Sequence, residues 1–142
     1  MERSPVTPDA FIATLPDGAR QDVMALDSLI GAVFEGRERV LWEGVLWGGT
    51  EQRIIGYGAY RSTNRSGNEV DWFVVGLARQ KDHLSLYVNA TRDGAYLVKA
   101  YADRLGKVRP GSANVTFHRV SDLDLDVVRE MVTEARHTTP GD

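Results

Sequence analysis

Cysteine is absent from the 142 residues, which removes disulfides, thiol nucleophiles and thiolate metal sites by inventory. The fold must stand on packing alone. Histidine is scarce: His83, His118 and His137 share no H-x-x-x-H or comparable spacing, so a zinc site would have to be assembled by the fold. No stretch approaches the ~20 apolar residues of a membrane span, so a membrane partner is not expected. A dominant sign of charge is missing too. Lys and Arg total 17 against 20 Asp and Glu, a net charge of -3, which speaks against a dedicated nucleic-acid binder while leaving a local basic patch open. The amino terminus, MERSPVTPDAF, has no apolar run and does not read as a secretory signal. The glycosylation triplets at Asn64, Asn89 and Asn114 are therefore read as chance, and the expected location is the cytoplasm.

What is present is an ordinary globular composition, 42% hydrophobic and 26% charged, in a length that suits one domain over residues 1–142. Thr7 followed by Pro8 predicts a capped short helix with Phe11, Ile12 and Leu15 on one side, closed by Pro16. From Asp17 to Gly36, Val23, Leu26, Ile30, Val33 and Phe34 recur at three- and four-residue spacing, the stripe of a second helix. The period then changes. RVLWEGVLW, RIIGYGAYR, DWFVVGLAR and HLSLYV are rich in branched and aromatic residues and predict four antiparallel strands linked by hairpins. In the fourth, Leu84, Leu86 and Val88 point to a dry face and His83, Ser85 and Tyr87 to a wetter one. A helix over Tyr96 to Leu105, a half-buried strand through Ala113, Val115 and Phe117, and a helix from about Leu125 to Arg136 complete the order. HTTPGD reads as a tail. Helices segregated from strands in sequence predict an α+β two-layer sandwich, an antiparallel sheet of about five strands with helices on one face.

Few segments look like chemistry. RLGKVRPGSANV has the residues of a phosphate loop, but Lys107 follows Gly106 at a helix carboxyl end, where the dipole repels anions. It reads as punctuation: Gly106 as the left-handed residue ending the helix, Pro110-Gly111 as the centre of a type II turn, each glycine with positive φ. Lys107 and Arg109 can still attract an anion from the side. Asp122, Asp124 and Asp126 have calcium-loop spacing, yet the sixth position is Val127 and the twelfth Thr133, so helix capping is the expectation. His83 and His118, both on strands, would meet if those strands are neighbours. Trp42, Trp47, Trp72, Tyr57, Tyr60 and Tyr87 are a heavy aromatic load for one sheet, suited to packing or to lining a groove. No nucleophile elbow, triad order or dinucleotide fingerprint is present.

The run IIGYGAYRSTNRSGNEVDWFVVGLARQKDHLSLYV, followed by LGKVRPGSANVTFHRVSDLDLDVVREMV, resembles the YdhG-like family of bacterial domains from Trp47 to about Ala135. The shared points are Gly56-Tyr57-Gly58, Asp71-Trp72-Phe73, Lys81, Leu84 to Tyr87, Leu105-Gly106-Lys107, Gly111-Ser112 and Asp122 to Leu125. The resemblance implies an α+β sandwich; one branch has been described as frataxin-like, an iron chaperone for iron-sulfur cluster assembly. This chain has Asn114 where members often carry a cysteine, and Gln80 where they carry an arginine before the lysine. Iron handling needs clustered carboxylates, whereas Asp17, Asp22, Asp27 and Glu35 scatter around their helix. The expectation is a small cytosolic binding or accessory domain without cofactor, acting through protein or small-ligand contacts, self-association included. Candidate ligand-binding residues are Trp47, Tyr57, Trp72, Lys81, His83, Tyr87 and Lys107; no catalytic or metal-ligating residue is assigned. The alternative is a frataxin-like iron chaperone, and a further one an enzyme using His83 and Lys107.

Overall fold

The computed structural model describes residues 1–45, 51–63 and 66–138. After strand β1 (Glu2–Arg3), the Thr7 hydroxyl accepts from the Ala10 N–H at 3.1 Å and opens helix α1 (Pro8–Ala13). Pro16 closes the gap and caps α2 (Asp17–Val33), which buries Val23, Leu26, Leu29 and Ile30. Strands β2 (Arg39–Val45), β3 (Glu51–Thr63), β4 (Glu69–Arg79) and β5 (Leu84–Val88) then pair antiparallel in sequence order. They are the four strands the residue pattern predicts.

The next segment holds the predicted helix, its last turn tightened, behind a short ribbon that the residue pattern did not announce. A ribbon of β6 (Thr91–Arg92) and β7 (Ala95–Tyr96) precedes α3 (Leu97–Tyr101), which runs into a 3-10 turn at Ala102–Arg104. Asp93-Gly94, with φ of 54° and 83°, makes the two-residue hairpin turn that this dipeptide favours. After β8 (Arg109–Pro110) and β9 (Asn114–Phe117), α4 (Leu125–Thr138) ends the described chain, so His137 and Thr138 belong to the helix and not to a tail. Asp124 caps α4 by accepting from the N–H groups of Asp126 at 3.1 Å and Val127 at 3.3 Å, as the capping reading of DLDLD expects.

The order β1-β2-β3-β4-β5-β9-β8 makes an α+β fold with a seven-stranded antiparallel sheet, larger than about five because β1 and β8 add a two-residue strand at each edge. Such short strands carry no periodic signal. All four helices contribute to one core with Leu41, Ile55, Tyr57, Leu77, Leu86, Val115 and Phe117 of the sheet. Asp27 of α2 bolts this layer together: its carboxylate accepts from the Tyr57 hydroxyl at 2.5 Å and from Arg39 at 3.0 and 2.7 Å, and Arg39 also donates to Asp9 of α1 at 2.9 Å. Burial, and then the Asp27 charge, pushes the Tyr57 phenol well above its ordinary pKa, so it stays a donor.

The opposite face is not simply wetter. Trp42, Ile54, Phe73 and Ala78 form a second buried cluster with Met1, Trp72 and Tyr87 packed against it, and Ser85 is fully buried. Strict alternation would place Phe73 with Val75 and Leu77 on the helix side, yet Val74 joins the main core and Phe73 the second. The break falls where Gly58 takes φ 70° and donates to the Glu38 carbonyl at 2.7 Å. Across the ladder, Asn89 uses its N–H and its side-chain amide to reach the carbonyls of Val74 at 2.8 Å and Phe73 at 2.9 Å.

Two predictions follow from the packing. Leu26, with no exposed surface, sits at the centre of the α2 stripe, and Leu26→Ala should cost about 2–5 kcal/mol in denaturant unfolding; a loss near zero would mean the stripe is not in the core. At the outer rim Glu134 of α4 accepts from Arg92 twice at 2.7 Å and from the Tyr101 hydroxyl at 2.6 Å. The Arg92 bonds and then the Tyr101 bond hold Glu134 below the ordinary carboxylate value of 4.5, while burial and then Glu134 push Tyr101 up to about 12. A carboxylate depressed by folding stabilises above its unfolded value and loses that contribution as pH falls through its folded value. Stability should therefore decline below about pH 4.5, and Glu134→Gln should flatten that part of the profile in thermal melts from pH 7 to 3.

Candidate functional site

Strand order decides which polar residues meet. Because β5 pairs with β9 in the register Leu84↔Phe117, His83 and His118 stand opposite each other one step beyond the ladder. Because β8 pairs with β9 at Arg109↔Thr116, the segment 107–109 runs alongside on the other flank. These side chains line a cleft of about 650 Å³ formed by His83, Lys107, Val108, Arg109, Thr116, Phe117 and His118. Arg109 pairs with Thr116 and so shares its side of the sheet, while Lys107 sits at a tight turn closed by the Val108 N–H donating to the Gly106 carbonyl at 3.1 Å.

The backbone holding them is fixed. Gly106 has φ 111° and bridges antiparallel to Leu123; Lys107 N–H donates to the Asp122 carbonyl at 2.8 Å and Asp124 N–H to the Leu105 carbonyl at 2.8 Å. A Cβ at Gly106 would run into the Asp122 carbonyl oxygen, so glycine is needed for both conformation and space. Gly111 differs from expectation. Its φ is not positive, Pro110 lies within β8, and the tight turn is closed by Gly111 N–H donating to the Asn114 carbonyl at 2.7 Å. A Cβ there would meet the Asn114 side-chain oxygen, so Asn114 would have to turn aside.

The electrostatics of the cleft favour anions. Among the described residues, the side chains of Lys107, Arg109 and His83 have no ion-pair or hydrogen-bond partner. His118 Nδ1 lies 3.2 Å from the Asp82 carbonyl, which only accepts, so the contact places the proton on Nδ1 and leaves Nε2 for a ligand. The Asp122 carboxylate accepts from the backbone N–H groups of His118 and Arg119 at 3.3 Å each. Among the described residues, no three His, Asp or Glu side chains converge as a metal site would require, and no helix is long and apolar enough to cross a membrane.

The seven sequence candidates separate. His83 and Lys107 meet in this cleft. Lys81 lines a different one with Phe11 and Arg79. Trp72 and Tyr87 belong to the second-face cluster, with Trp72 stacked on Phe73 at 4.4 Å, and Tyr57 is fully buried against α2, out of reach of a ligand. Trp47, like Asn64, lies outside the described residues. The sequence pointed to Arg109 as a cation beside Lys107 and to His118 as a partner of His83 if their strands were neighbours, but not to Thr116; what joins all of them is the β5–β9–β8 pairing, which no local pattern carries. No family model, no curated protein and no solved structure matches the chain.

Gly106→Ala tests the frame of the cleft. The left-handed penalty and the overlap with Asp122 together should destabilise by more than about 1–2 kcal/mol in denaturant unfolding. A neutral substitution would show that the 105–107 to 122–124 junction does not hold the cleft walls.

Proposed function

We propose that this protein is a small-ligand-binding domain that takes a compact, phosphate-type anion in the cleft between β5, β9 and the 107–109 segment. The observation that carries the reading is the convergence of His83, Lys107, Arg109 and His118, from three separate stretches of chain, around one cleft with no carboxylate paired to them. Placing Lys107 and Arg109 side by side costs repulsion that a bound oxyanion removes, and a tetrahedral anion accepts hydrogen bonds from several directions at once. Thr116 adds a hydroxyl. The role is that of an accessory module, in keeping with the resemblance to the YdhG-like family, and it requires no cofactor.

The iron-chaperone alternative has less to stand on. Asp9, Asp27, Glu130 and Glu134 each face an arginine, so these carboxylates are engaged inside the fold instead of clustering at an edge. Calorimetry with inorganic phosphate and pyrophosphate at fixed ionic strength tests the proposal. Saturable binding is expected, and Lys107→Ala or Arg109→Ala should each weaken it roughly 10- to 100-fold, the worth of one charge-assisted hydrogen bond. Absence of binding, or binding indifferent to both substitutions, would overturn it.

A further inference from the structure

At the foot of α1 a second cleft, of about 340 Å³, is lined by Phe11, Leu15, Gln52, Arg79, Gln80 and Lys81, with Glu51 and Arg53 at its rim. It differs in kind from the first. Phe11 of α1 and Leu15, just past its end, supply an apolar wall. Arg79 ends β4 beside Leu84 and continues the helix-facing parity of Leu77, so its guanidinium lies at the junction of that wall with the sheet. It is half-buried, and it has neither an ion pair nor a side-chain hydrogen bond among the described residues. The surrounding polar groups are already engaged: Arg53 faces Glu43 at 3.5 Å, and the Gln80 amide donates to Gln52 at 3.1 Å. Lys81 adds a second exposed cation.

We infer that this cleft binds a monocarboxylate carrying an apolar body. The Arg79 guanidinium presents five donors in a planar fork, and a carboxylate accepts from two of them in parallel. The Glu51 carboxylate on the same cleft opposes a dianion more than a monoanion, which selects a carboxylate over a phosphate. Phe11 and Leu15 reward an aliphatic or aromatic body, and the volume suits one of modest size. The site is independent of the phosphate reading, because its residues and those of the first cleft do not overlap.

Octanoate, phenylacetate, acetate and octan-1-ol are the probes, titrated by calorimetry and by amide chemical shifts. Octanoate or phenylacetate should bind saturably, about tenfold or more tighter than acetate, which lacks the body, and octan-1-ol, which lacks the charge. The two long acids distinguish an aliphatic from an aromatic preference. Arg79→Met, which keeps the stem and removes the fork, should abolish this binding, Arg79→Lys should retain part of it, and phosphate binding at Lys107 should be unchanged in both. The inference is overturned if neither long acid binds, if acetate or octan-1-ol binds equally well, or if Arg79→Met binds as the parent does.

Discussion

The four helices all press on one face of the sheet, and this leaves the residues of the other face to bury one another. The solution rests on Gly56 and Gly76, which lie directly opposite in the β3–β4 ladder. A Cβ on Gly56 would come within 2.6 Å of the Trp42 indole and 2.8 Å of Phe73, and one on Gly76 would overlap the Phe73 ring. Two bare glycines make a shallow floor on which rings lie flat, much as aromatic side chains cover glycines in other sheets. Trp42, Trp72, Phe73 and Tyr87 then close over it with centroid separations of 4.4 to 6.4 Å. The guanidinium of Arg3 sits 5.0 Å above Trp42 and pairs with Glu38. Aromatic rings used this way are core, and the unpaired polar side chains gather at the ends of the strands.

That redistribution explains how a protein of net charge -3 presents basic clefts. Carboxylates are drawn into pairs that join elements: Asp27 with Arg39 ties α2 to β2, Glu134 with Arg92 ties α4 to β6, and Glu130 with Arg104 ties α4 to the turn after α3. Such pairs contribute little individually where exposed, but each consumes an acid. Among the cations that pair with no carboxylate, Arg79, Lys81, Lys107 and Arg109 border two clefts flanking the β4–β5 turn. Net charge is an average, and recognition depends on which charges have been neutralised internally.

Legibility in the sequence followed the range of the interaction. Helices α2 and α4 and strands β2 to β5 announce themselves because burial imposes a period on residues three, four or two apart. Caps at Thr7 and Asp124 are equally local. The β6–β7 ribbon was masked by the helical spacing of Leu97, Tyr101 and Leu105, although Asp93-Gly94 carries a hairpin signal. The break in alternation that puts both Val74 and Val75 in the main core is invisible in β4 itself, since it falls opposite Gly58 on the neighbouring strand. Of the cleft, His83 and Lys107 were readable as candidates, and their meeting with His118 and Arg109 required the non-consecutive order β5-β9-β8.

The margins of the sheet bear on how copies of the chain meet at high concentration. An exposed strand edge is a template for another strand, and proteins blunt it with charge, brevity or proline. Here one margin is Glu2–Arg3, two charged residues long, and the other is Arg109–Pro110, where proline offers no N–H to a newcomer. Neither margin supports the run of successive hydrogen bonds by which sheets extend between molecules. Arg109, which lines the first cleft, therefore also stands at the edge, and each outermost strand ends the ladder after two residues.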